Sequence, residues 1–175
     1  PPALSTLGWW WLFEPTYSAI NWFLVKISLP AIPWLSETFW ARFSIILVNV
    51  WVGAPFFLIM YLAALKSIPA DLYEAASIDG ANYRQKLYYI TLPMMKNIIS
   101  ITILFSIIVT FANFDIVRVL TRGGPIDTTH LFATYAFRVG IESGDIPLGA
   151  AVSLFMFPIL GTLAFIILRS VRKRA

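Results

Sequence analysis

Cysteine is absent from the 175 residues, which removes disulfide frameworks, thiolate nucleophiles and Cys-ligated zinc together. Histidine occurs once, as His130, with no second His or Cys beside it, so no metal site is expected. Charge is scarce: Asp, Glu, Lys and Arg make up 13% of the chain, where soluble domains carry about 25%. Ser, His and Asp residues are present, but no spacing or nucleophile elbow organises them, and no catalytic residue is expected. Gly123-Gly124-Pro125 lacks the Lys-Ser/Thr of a phosphate loop and reads as a tight turn. The chain opens Pro1-Pro2-Ala3 with its first cation at Lys26, without the basic n-region of a signal peptide. We expect it to be the C-terminal part of a longer, N-terminally extended protein.

What the chain has instead is apolar sequence, 59% of all residues, with a mean hydropathy of +0.77. Three uncharged runs, 43–65, 97–114 and 148–168, are close to the ~20 helical residues that cross a hydrocarbon core of about 30 Å. They predict an all-α integral membrane protein with three transmembrane helices in lipid. The cations are placed unevenly. Lys66, Arg84, Lys86 and Lys96 lie in or beside the segment 66–96, and Arg169, Arg172, Lys173 and Arg174 crowd the tail 169–175. The connection 115–147 has three cations against four acids. By the positive-inside rule 66–96 and the tail, with the C-terminus, are cytoplasmic, and 115–147 is outside. The basic tail is thus an orientation signal, and no nucleic-acid partner is expected.

Residues 1–42 hold six of the seven tryptophans, Trp9, Trp10, Trp11, Trp22, Trp34 and Trp40. An indole is apolar in its ring and polar at its N–H, so the segment is expected as short interfacial helices and loops on the outer side, broken at Pro30 and Pro33. A soluble-looking insert, DLYEAASIDGANYRQKLYYITLP, separates the first two runs. Pro69 suits a first helical turn, Asp71 complements the positive end of the helix dipole, and Gly80 after Asp79 is placed to end the helix in the left-handed conformation. This predicts a helix over about 69–79, a glycine turn, a helical piece over about 82–89, and a further helix that tolerates Pro93 near its start. Ala75 and Ala76 with Leu72 give the first helix a surface open to close approach, with the charge of Glu74 beside it.

Glu74-Ala75-Ala76, Gly80, Ile90 and Leu92-Pro93 match, without a gap, the EAA signature of binding-protein-dependent ABC importer permeases. The stretches WLFEPTYSAIN, PWLSETFWA and FDIVRVLTRGGP extend the likeness over nearly the whole chain. It resembles the sugar permeases of the maltose and glycerol-3-phosphate type, and Leu120 to Pro125 is similar to the maltose-F-like subunit. The resemblance implies the type I importer transmembrane fold in a bacterial or archaeal cytoplasmic membrane. It implies as partners a maltose-G-like second permease subunit, two ATP-binding subunits and an extracytoplasmic solute-binding protein. ATP and Mg would be bound by the partner ATPase, leaving no cofactor here. Residue by residue, Glu74 would pair with a basic residue of the ATPase, Ala75 and Ala76 would permit docking, and Asp79 and Gly80 would make the turn.

Polar residues within the spans point to substrate. Thr102, Ser106, Thr110 and Asn113 recur at helical intervals, as do Asn49, Gly53 and Phe56, with Pro55 loosening the helix beside them. Hydroxyls, amides and one aromatic suit a neutral polyol better than an ion. Alignment to the family places Asn49, Val52, Gly53, Phe56, Ser106, Val109, Thr110 and Asn113 at sugar-contacting positions. The family member carries Tyr at the position of Phe56 and Asn at that of Thr110, so maltose itself does not carry over. The alternative use of such residues is helix–helix packing. A glycerol-phosphate, sulfonated or amino sugar would require a cation in the pathway, and an ion-driven secondary transporter would place ionisable groups in the spans. The three runs contain neither.

Overall fold

A computed structural model describes residues 1–16 and 18–172. Its regular structure is helical: α1 (Pro2–Phe13), α2 (Ala19–Lys26), α3 (Thr38–Lys66), α4 (Ala70–Ile78), α5 (Tyr83–Lys86), α6 (Leu92–Phe111), α7 (Asp115–Leu120), α8 (Phe132–Phe137) and α9 (Ile146–Arg172). Two π-helical turns, Leu87–Thr91 and Arg138–Glu142, follow α5 and α8. Three helices are long and apolar enough to cross a membrane, Thr38–Lys66, Tyr83–Phe111 and Ile146–Ile166. Their apolar windows are 6%, 11% and 6% buried within the chain, which leaves most of that surface for contact outside it. Residues 173–175 of the expected basic tail lie outside the described residues.

Two of these helices differ from the expected segmentation. The predicted pieces 82–89 and 97–114 form one helix, Tyr83–Phe111. Asn82 starts it with a capping box: its side chain accepts the Gln85 N–H at 2.9 Å, while its own N–H donates to Gln85 Oε1 at 2.7 Å. Pro93 has no N–H to give, and the wider turn Leu87–Thr91 lies immediately before it, so the helix passes the proline without a break. At the far end the helix stops at Phe111, three residues short of the expected boundary.

The chain divides into two compact units. In the first, Pro1–Gly53 with Ile108–Leu160, Phe13, Trp34, Val48, Ile116 and Leu120 form the buried core, and Trp9, Trp10, Trp40 and Val52 pack on it. Trp34 is thus a core residue, 8% exposed, and not part of an interfacial belt. Its indole N–H donates to Asn21 Oδ1 at 2.9 Å, and Phe13 lies 5.3 Å away, ring to ring. Protein atoms replace the water that a belt tryptophan would need. Trp11 and Trp22 remain exposed, at 74% and 65%. α2 ends at Lys26, before Pro30, and Ser28 after it takes a φ of 63°.

The second unit is Ala54–Ile107 with the described part of Gly161–Ala175. Here Ala64, Ile68 and Met95 are buried, with Tyr61, Tyr73, Ile90, Ile98 and Ile99 around them. The Tyr61 and Thr102 hydroxyls pair at 2.8 Å, and Phe56 meets Phe105 at 5.1 Å between ring centroids.

Candidate functional site

The insert folds as a helix, a turn and the root of a long helix. α4 carries Asp71 in its first turn, and Pro69 occupies the position just before it rather than inside it. The helix ends at Asp79, whose N–H donates to Ala75 O; Gly80 follows with a φ of +76°, and the Ala81 N–H closes on Ala76 O at 2.9 Å. A Cβ at Gly80 would meet nothing within 4 Å. Glycine is required there by the backbone conformation and not by space. Glu74, Ala75, Asp79 and Gly80 are exposed and Ala76 is partly so. Among the described residues Glu74 and Asp79 form no ion pair. Large side chains missed by the sequence reading stand out beside them: Ile78, Tyr83 and Tyr89 are 87%, 81% and 80% exposed. The signal was available as apolar residues in an otherwise polar insert.

Several bonds tie the two arms of this segment. Lys86 Nζ donates to Ser77 Oγ at 2.6 Å, and the Ser77 hydroxyl donates to Tyr73 O at 2.7 Å. Tyr73 Oη lies 2.8 Å from Thr91 Oγ1.

The expected pathway residues fall in both units. In the first, the Asn113 carboxamide N–H donates to Asn49 Oδ1 at 3.1 Å, and Asn113 Oδ1 accepts the Ile116 N–H at 3.2 Å in the first turn of α7. Asn113 therefore lies past the end of its helix, not on a face of it. Val52 packs on the core, Gly53 and Thr110 are partly buried, and Val109 is 46% exposed. Thr110 also borders a cleft of about 540 Å³ with Phe111, His130, Leu131, Phe132 and Tyr135. No local pattern announces this cleft, because its walls are brought together from the end of α6 and the start of α8, with α7 and the glycine turn between them. In the second unit, Phe56 is 46% exposed and Ser106 partly buried. Thr102, read as pathway-lining, is 1% exposed and bonded to Tyr61, Ile98 O and Ile99 O. It is a packing residue, since each of its polar options is taken by protein.

The connection 115–147 contains two ion pairs of its own. Asp127 forms an ion pair with Arg138, and Arg118 pairs with Glu142 at 2.6 Å. The His130 ring sits against the Gly123 α-carbon, and its Nε2 faces Asp127 and Arg138. The Arg138 hydrogen bond holds the Asp127 carboxyl below its usual pKa of 3.8, and burial, the largest influence, holds His130 below 6.5. Among the described residues no group of three His, Cys, Asp or Glu side chains could hold a metal ion.

Comparison with known proteins gives consistent matches. The model of the family "Binding-protein-dependent transport system inner membrane component" matches residues 3–175. The trehalose/maltose transport system permease protein MalF of Thermococcus litoralis is 33% identical over 99% of this chain and 59% of its own length. The maltose/maltodextrin permease protein MalF of Vibrio parahaemolyticus is 36% identical over 97% of this chain and 34% of its own, and that of Escherichia coli is 33% identical over 99% and 36%. The chain thus spans less than two thirds of these relatives. A crystal structure of a bacterial alginate ABC transporter, in complex with alginate pentasaccharide-bound periplasmic protein, superposes with a TM-score of 0.87 at 26% identity, over 98% of this chain and 60% of that one. The all-α type I transmembrane fold expected from the EAA pattern is therefore the fold of this chain.

Proposed function

The chain belongs to the family of binding-protein-dependent transport system inner membrane components, and from that premise we propose that it is the pathway-forming part of a sugar ABC importer permease. The cargo class is an oligosaccharide or related polyol. Relatives named for maltose, maltodextrin and trehalose transport support this class, and the pathway positions carry hydroxyl, amide, small and aromatic groups without a cation. A phosphorylated or sulfonated cargo would need that cation to offset its charge.

In this reading 66–96 faces the cytoplasm and seats α4 against an ATP-binding subunit, two of which assemble with this chain and a second permease subunit. A solute-binding protein delivers sugar from the outer side. ATP and Mg are held by the ATP-binding subunits. Asn49, Val52, Gly53, Phe56, Ser106, Val109, Thr110 and Asn113 line the pathway.

The observation that carries the proposal is the exposed charge of Glu74 on a helix that turns at Gly80 directly into the root of a membrane-length helix. An uncompensated carboxylate beside small residues fits a basic partner, and loss of one member of such a pair costs about 2–5 kcal/mol. The test uses the full-length permease in its assembled complex in liposomes, with trehalose, maltose and an alginate oligosaccharide as probes. Glu74→Lys is expected to lower sugar-stimulated ATP hydrolysis by about tenfold or more, while sugar binding by the solute-binding protein is unchanged. Wild-type stimulation and assembly in Glu74→Lys would remove the coupling role.

A further inference from the structure

A displacement of α4 has three routes to α6. The first is covalent, through the turn at Asp79, Gly80 and Ala81, whose backbone bonds close on Ala75, Ala76 and Ser77 of α4 and so fasten the turn to α4 itself and not to α6. The second is the contact of Tyr73 and Ile90 with Ala64, Ile68 and Met95, which resists separation but is not directional. The third is a closed ring of hydrogen bonds that begins and ends on Tyr73.

The ring runs as follows in the molecule. Thr91, 8% exposed, ends the π-helical turn Leu87–Thr91, and its hydroxyl donates to Lys86 O at 3.3 Å. With that proton committed to a carbonyl, Tyr73 is the donor in the 2.8 Å pair with Thr91 Oγ1. The Lys86 ammonium donates to Ser77 Oγ at 2.6 Å, and Ser77 donates to the Tyr73 carbonyl at 2.7 Å. Every hydroxyl proton in the ring has one acceptor, and three of its four bonds cross an element boundary: α4 to the π turn, the π turn to α5, and α5 back to α4; the fourth, Ser77 to Tyr73 O, lies within α4. π turns depart from the α ladder at a cost and concentrate where helices work. Here the departure coincides with the residue that receives the Tyr73 hydroxyl.

We propose that Tyr73 and Thr91 are positioning residues for coupled transport: their hydroxyl pair fastens α4 to the π turn at the root of α6, so that the two move as one lever. The proposal rests on the coupling role given above to α4. It adds that the fastening is made by two hydroxyls rather than by apolar packing. Tyr73→Phe keeps the ring in its apolar cluster and removes the donor, and Thr91→Val keeps the shape and removes the acceptor.

The experiment measures sugar transported per ATP hydrolysed by the full-length permease in its assembled complex, together with complex yield. The probe is whichever of trehalose, maltose and an alginate oligosaccharide stimulates hydrolysis most. Tyr73→Phe and Thr91→Val are each expected to lower transport per ATP about fivefold, the equilibrium shift worth one intramolecular hydrogen bond, at unchanged yield. The double variant should be no worse than either single, because both remove the same bond, and Thr91→Ser should stay within about twofold of wild type. Normal transport per ATP in both single variants overturns the proposal, as does a double variant whose loss is the product of the two. A fall in complex yield with normal transport per ATP makes the pair merely structural and also overturns it. Glu74→Lys alongside separates the claims: if it alone loses coupling, the hydroxyl pair fails and the docking role stands, whereas normal coupling in every variant removes both.

Discussion

The two polar connections of this chain, 66–96 and 115–147, differ in how they pair their charges: among the described residues the ion pairs all lie in 115–147 and none in 66–96. In 115–147, Asp127 is paired with Arg138 and Arg118 with Glu142, and the Arg42 guanidinium donates to Thr128 O at 3.2 Å. The turn itself is bound to its own neighbours, with Thr129 Oγ1 donating to Gly124 O at 2.6 Å and Thr128 Oγ1 to Pro125 O at 2.6 Å. In 66–96 the bonds tie the arms together, while Glu74 and Asp79 are left exposed without an ion pair among the described residues. Charges satisfied within a chain fix a shape; charges left out of an otherwise well-bonded segment are available to something outside it. Both segments carry charges of both signs, and they differ in that only 115–147 forms ion pairs among the described residues.

Glycine substitutions test the contrast with the largest expected effect. A Cβ on Gly149 would lie 2.5 Å from Gly140 Cα, 2.8 Å from Gly140 N and 2.9 Å from Ala136 O, all atoms of the α8–π-turn segment that cannot rotate away. Gly149→Ala is expected to cost about 3 kcal/mol or more, in the range of overpacking with backbone displacement. Gly80→Ala meets no atom and carries only the strain of its left-handed backbone, about 1 kcal/mol. Apparent melting temperatures of the purified permease should therefore fall much further for Gly149→Ala. Equal shifts would mean that 115–147 is no more tightly built than 66–96.

Legibility in the sequence followed the range of the interactions. The helix–glycine–helix insert could be read because its signals, Asp71, Gly80 and the EAA spacing, act within a few residues. The apolar runs likewise located the three long helices. Trp34 was misplaced because its partners, Asn21 and Phe13, are 13 and 21 residues away, and composition alone treats every tryptophan in a cluster alike. Thr102 was misread for the same reason, its partner Tyr61 lying on another helix. Asn113 failed differently: a helical period extrapolates through any residue, whereas here a carboxamide offered the Ile116 N–H a local alternative and the helix ended. The ring through Tyr73, Ser77, Lys86 and Thr91 joins residues up to eighteen apart that have no common periodicity.

Asn49 and Asn113 give the next effect, because they separate pathway from packing at the edge of 115–147. Asn113→Ala removes the acceptor of the Ile116 N–H and the bond to Asn49, and is expected to cost about 1–2 kcal/mol. Asn49→Ala removes one bond, about 1 kcal/mol. A double variant that costs less than the sum would register the shared bond in the melting temperature. Pathway lining requires in addition that KM or kcat for transport change in both variants at temperatures well below melting. Unaltered transport kinetics with the expected loss of stability would reassign the pair to packing.

The smallest expected effect is on pH dependence, and it too divides the two connections. Burial lowers the His130 pKa in the folded chain below 6.5, even though Asp127 opposes this by favouring the charged ring and Arg138 reinforces it. In the unfolded chain the imidazole binds its proton first as pH falls. The contribution of His130 to the stability of 115–147 is therefore complete above about 6.5 and declines as pH drops from there toward the lower folded pKa. Asp127 adds a second loss only near and below 3.8, where protonation of its carboxyl releases Arg138. Melting temperatures recorded from pH 8 downward should begin to fall near pH 6.5, and His130→Gln should flatten that first decline while leaving the acid-range loss in place. Because the paired groups belong to 115–147, hydrogen exchange should show the mild-acid loosening there and leave amides of 66–96 unchanged. Equal loosening in both connections would mean that the ion pairs around His130 do not set the shape of 115–147.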